Sequence, residues 1–154
     1  MLASCAQTGA WGPRDEAYFD RIVRAHLAGS ASGRLAAEKA HSAQVRRLAR
    51  RIAESHVAML REITAISTAQ GVTIPVAPDD AHRRALKKLE ASKGRSFDRA
   101  YLERALEDQQ QALELLELAA EQASHRQLKD HARKAITSLR EQRDAAERLS
   151  KQGG

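Results

Sequence analysis

The chain has 154 residues, with 26 Lys+Arg against 20 Asp+Glu, a formal net charge of +6 and a pI near 9.9. Hydrophobic residues make up 42%, thirty residues are alanine and aromatics reach only 3%, and no run approaches the ~18 apolar residues of a membrane span. The single cysteine, Cys5, excludes an intrachain disulfide and a four-cysteine zinc site.

Leu2-Ala3-Ser4-Cys5 resembles a bacterial lipobox, in which a signal peptidase cuts before a cysteine that is then lipidated. A signal also needs a basic n-region and a 7–15-residue apolar h-region. Only Met1 precedes the box here, so this reading places the true start upstream; the alternative is a chance match and a free tail. With a lipid on Cys5, Ala6 to Arg14 would be a tether and the protein periplasmic or envelope-anchored; otherwise it is expected in the cytoplasm.

From Asp15 the pattern is helical. Tyr18, Phe19, Ile22, Val23, His26 and Leu27 recur at one-face spacing, continued by the small residues Gly29, Ser30, Gly33, Ala36, Ala37 and Ala40. Either one helix runs to about Ala40, or Gly29 to Gly33 is a loop. Ser42 can cap a second helix, whose stripe is Val45, Leu48, Ile52, His56, Met59, Ile63 and Ile66. It ends near Gln70, with Gly71 placed for a C-terminal cap. Val72 to Asp80, with Pro75 and Pro78, reads as a connector, and a short helix follows from Asp80 to Ser92. Gly94 stops that helix, and Ser96 is expected to cap the next one, Phe97 to about Ala123. A last helix spans about His125 to Leu149, with a frayed tail beyond. Few prolines in an Ala-, Leu-, Glu-, Arg- and Gln-rich chain favour such long helices. Four of them and a connector of roughly 25 residues imply a single all-α domain, a ferritin-like four-helix bundle with a crossover. Up-down-up-down order is the alternative.

Each core stripe has one polar interruption: His26, His56, Gln109 and Gln142. At ~1.5 Å rise per residue all four fall near mid-height. Di-iron carboxylate bundles build their sites at such a level, but no carboxylate lies on these stripes, and Asp108 points about 100° away from Gln109. The layer is therefore expected to fix helix register rather than to bind metal. His26, His56 and Asp108 are the candidate ligands if iron, manganese or zinc does bind; amides are poor ligands and two imidazoles hold such ions weakly. Glu38-x-x-His41 has no second copy and lies near a helix end. His82, His125 and His131 show no partner spacing and are assigned no role. No nucleophile constellation or phosphate loop is present, so the protein is expected to be non-enzymatic.

Arg46-Arg47 with Arg50-Arg51, and Arg83-Arg84 with Lys87-Lys88, lie where acidic and basic residues otherwise alternate, which reads as a solvated helix face. Aromatic interleaving is missing, so no specific nucleic acid is expected. A membrane surface reached through a lipid anchor is the expected partner; a homo-oligomer and a protein partner stay open.

Phe97-Asp98-x-x-Tyr101 followed by Asp108-Gln109 resembles the central signature of the bacterial family catalogued as domain of unknown function 4142, which carries Phe-Asp-x-x-Tyr and then Asp-His. Gly33-Arg34-Leu35-Ala36 with Lys39-Ala40, Val45 and Ser55-His56 resembles it upstream. The resemblance covers about Asp15 to Leu149 and implies a ferritin-like bundle, mostly exported, of no established molecular function. This chain departs from the family pattern at Gly29 and Ala31, where glutamates are usual, at Ser55, where an aspartate is, and at Gln109 and Gln142, where histidines are. It thus resembles a degenerate member.

Overall fold

The computed structural model describes residues 9–153. Those residues form five helices and no strand: α1 (Pro13–Lys39), α2 (Ala43–Thr68), α3 (Asp80–Ala91), α4 (Gly94–Gln122) and α5 (Arg126–Gln152). The lipobox-like start and Cys5 lie outside the described residues.

Gly29 to Gly33 is helical, which settles the first boundary. The small residues are there for close approach: a Cβ at Gly33 would stand 2.9 Å from the Ala49 carbonyl oxygen and 3.0 Å from the Ala53 Cβ. The Ser42 hydroxyl accepts from the backbone of Gln44 and Val45 and starts α2, and Gly71, at φ 67°, takes the left-handed conformation after it. Three expectations need correction. α4 begins at Gly94 with Lys93 in the capping position, so Ser96 lies inside the first turn. α5 continues past Leu149 to Gln152 instead of fraying. Residues 9–14, the described part of the expected tether, lie against the bundle, where Trp11 packs edge-on against Phe19 and His125, with ring centroids 5.8 and 5.3 Å apart.

Two buried aspartates set the topology. Asp15, at the start of α1, accepts from the backbone of Ser124 (2.7 Å) and His125 (3.2 Å) in the α4–α5 turn. Asp98, at the start of α4, accepts from His41 (2.7 Å) and Ser42 (2.8 Å) in the α1–α2 turn. The proximal end therefore holds the beginnings of α1 and α5, and the distal end those of α2 and α4. That is the ferritin-like up-down-down-up order. α1 packs on α2 and α4, and α5 on α2 and α4. α3 lies outside against α1 and α4 on the crossover, anchored by Leu89, 4% exposed. The core divides into one apolar cluster around Phe19, Ile22, Ile63, Leu116 and Leu128, and another around Ala36, Leu48, Ile52, Phe97 and Tyr101.

Candidate functional site

His26 stands thirteen residues into α1, at its midpoint, and is 1% exposed. Its Nδ1 lies 3.1 Å from Nδ1 of His56, and its Nε2 lies 3.3 Å from Nε2 of His131. His131 is 1% exposed and His56 4%. The Nδ1 of His131 lies 3.4 Å from Glu62, whose other oxygen takes Lys134 Nζ at 2.8 Å near the surface. Four side chains thus form one line, Glu62–His131–His26–His56, from the edge of the bundle to its centre.

The protonation states follow from the contacts. A neutral imidazole has one N–H and one bare nitrogen. With Glu62 ionised, His131 donates from Nδ1 and leaves Nε2 to accept from His26. The Nδ1 of His26 then accepts from Nδ1–H of His56, and Nε2 of His56 is left bare. Burial pushes all three histidines down: His26 well below the ordinary range, with its two imidazole neighbours adding to the effect, His56 to about 4 despite the pull of Asp108, and His131 despite Glu62. The hydrogen bond from Lys134 holds the Glu62 carboxyl below its usual range.

The bare Nε2 of His56 faces Gly29, where a Cβ would stand 2.4 Å from it. Beside it is a cavity of about 20 Å³ lined by Gly29, Ser32, His56, Tyr101, Asp108 and Gln109 among others. That volume has room for a single water.

The expected polar layer is therefore redrawn. His26 and His56 do meet, and His131 joins them. By rise alone His131 sits about 10 Å nearer its end than His26, a gap the two side chains close across the bundle diagonal. Gln142 forms a separate group, donating to Ser55 (2.8 Å) and Ser138 (3.2 Å). Gln109 is buried with neither amide atom paired to protein. Asp108 turns outward to Arg104 and His82, and both it and Asp79 raise the His82 imidazole. Glu38 and His41 are both exposed at the distal end. His125 is buried at the proximal end, with its Nε2 3.4 Å from Gln70. In the Phe97-Asp98-x-x-Tyr101 signature, Phe97 and Tyr101 stack at 6.5 Å while Asp98 caps the opposite turn.

A ferritin-like fold implies a carboxylate-bridged metal pair, and these donors do not fit one. His26 directs its two nitrogens to opposite sides, the only carboxylate in the line touches the far nitrogen of His131, and Gly29 places no side chain beside His56. Among the described residues no group of three or more His, Cys, Asp or Glu is arranged to hold an ion.

A family model described as Domain of unknown function (DUF4142) matches residues 1–149. No curated protein matches. Two solved structures share the fold. A DUF305 fragment from Deinococcus radiodurans is 15% identical with a TM-score of 0.82, covering 92% of this chain and 98% of its own. A candidate secreted DUF305 protein from Streptomyces coelicolor is 18% identical with a TM-score of 0.78, covering 97% of this chain and 95% of its own.

Proposed function

The chain belongs to the DUF4142 family, and on that premise we propose that it is an exported, non-enzymatic bundle, tethered at the envelope through Cys5 and acting through its surface. The observation that carries the non-enzymatic part is the interior at the three-histidine layer. Four of its six ring nitrogens are engaged with one another and a fifth with Glu62, and its cavity of about 20 Å³ admits no organic substrate. The histidines then serve as a hydrogen-bonded register between α1, α2 and α5. Export is supported by the lipobox-like start and by the likeness to a candidate secreted protein. Trp11 fastens the chain to the proximal end, so a tether ahead of residue 9 would leave the distal end facing away from the membrane.

The test is intact-mass analysis of the protein recovered from fractionated cells of its native host. The proposal expects envelope protein beginning at a lipid-modified Cys5. An unmodified amino terminus upstream of Cys5, or protein confined to the cytosol, overturns it.

One distance favours a second reading, metal binding by His26 and His56. Two nitrogens each ~2.1 Å from a shared ion can stand 3.1 Å apart. Metal analysis of tag-free protein decides: stoichiometric iron, manganese or zinc that is lost in His56→Ala supports this reading over the first.

A further inference from the structure

The charge is divided along the bundle. Taking the His26–His56 level as the boundary and placing α3 with the distal half it packs on, that half (27–55, 80–107 and 140–153) holds 18 of the 26 basic residues and 10 of the 20 acidic ones, a net +8. The proximal half holds the remaining 8 and 10, a net −2. Half of that excess, a net +4, lies where α2 begins and α5 ends (43–55 and 140–153). There a groove of about 500 Å³ runs between the two antiparallel helices, with Arg47, Arg50 and Arg51 from α2 and Arg148 from α5. All four are exposed, and among the described residues none pairs with a carboxylate. Neighbouring Arg143 takes up Asp144 and Glu147, and Glu54 is the one acid lining the groove. Arg50 also borders a second groove of about 520 Å³ between α1 and α2, lined by Arg34 and Glu38 from α1 and by Glu54 and Arg61 from α2, which reaches past the His56 level at Arg61.

We propose that this distal double groove binds a linear, base-free phosphate polymer. Guanidinium groups match phosphate oxygens in a bidentate fork, which a lysine surface would not offer. Arginines on both walls of a groove that continues over Arg50 suit an extended chain rather than a single ion or a flat bilayer. No aromatic side chain lines either groove, so bases would find nothing to stack on. Arg47, Arg50, Arg51 and Arg148 lie about 25–35 Å along α2 and α5 from the end that receives the amino terminus, so binding there does not depend on the tether or on export.

The test measures binding of fluorescent inorganic polyphosphate to the purified full chain by anisotropy across a salt series. Expected is saturable binding that weakens steeply with salt, as counterion release requires. Arg47→Glu with Arg148→Glu should weaken it at least about tenfold, and the milder Arg47→Gln with Arg148→Gln several-fold, with melting temperatures confirming folded variants. The proximal control Arg126→Glu with Arg133→Glu should change it less than about twofold. No binding at low salt, or equal losses in the distal and proximal variants, overturns the proposal. So does tighter binding of a single-stranded oligonucleotide of equal charge, or of anionic phospholipid vesicles.

Discussion

Asp15 and Asp98 stand at matching positions 83 residues apart, each at the head of one helical hairpin and each capping the turn of the other. The two hairpins are thereby latched at both ends. Asp15 and Asp98 are 0% and 8% exposed, so removing either carboxylate leaves backbone donors without their partner in a dry place. Asp98→Ala and Asp15→Ala should each lower unfolding free energy by about 2–4 kcal/mol. Urea denaturation checks this, and a change under ~0.5 kcal/mol would remove the latches from the account.

Gly29→Ala tests the close approach of α1 to His56. In an ordinary helix interior the change would gain about 1 kcal/mol. Here the new Cβ would fall 2.4 Å from Nε2 of His56, on a ring held between buried neighbours. Net destabilisation of about 1–3 kcal/mol is expected, with altered ring resonances for His56 and His26. A stabilised variant would mean that α1 and α2 are further apart than described.

Acid should weaken the fold through the histidine layer. A histidine whose folded pKa is depressed takes up protons in the unfolded chain first, so its contribution is complete above pH 6.5. That contribution is lost as pH falls from 6.5 through about 4, the value to which burial pushes His56. At ~1.4 kcal/mol per unit, His56 alone amounts to about 3 kcal/mol over that window, with His26 and His131 acting in the same direction. His82, raised by Asp108 and Asp79, acts oppositely and loses its contribution above pH 6.5. Denaturation midpoints at pH 7.5, 6 and 4.5 should fall steadily, and a flat profile contradicts the buried neutral layer.

Gln109 makes the converse case. Both amide atoms are buried and unpaired with protein, so Gln109→Leu should stabilise by about 1 kcal/mol. A loss of that size in thermal or urea unfolding would show that the amide is hydrogen-bonded within the small cavity.

The helical architecture was legible in the sequence because the Val45-to-Ile66 stripe and the Gly71 and Pro75 breakers are local signals. Up-down-down-up order was one of two readings, since the choice depends on which turn Asp98 reaches, a long-range contact. The site was half legible. His26 and His56 interrupt clean stripes and meet as their heights imply. His131 escaped because it lies lower on α5 and reaches His26 diagonally, which spacing along one helix does not reveal. A usable signal for the latches was present: Asp15-x-x-Tyr18…His26 repeats as Asp98-x-x-Tyr101…Gln109, and that repeat marks Asp15 as the counterpart of Asp98. Gln142 interrupts its stripe like the others, yet Ser55 and Ser138 sit within its reach and draw it into a separate group.

The central claim is that three neutral imidazoles form one directed hydrogen-bonded line ending at Glu62. Long-range nitrogen–proton correlation spectra of ¹⁵N-histidine-labelled, metal-free protein at pH 7 test it most directly. The account predicts Nδ1–H on His131, Nε2–H on His26 and Nδ1–H on His56, with all three neutral at pH 7 and His56 still neutral at about pH 5. A charged imidazole among the three at pH 7, or His56 protonated on Nε2, would contradict it.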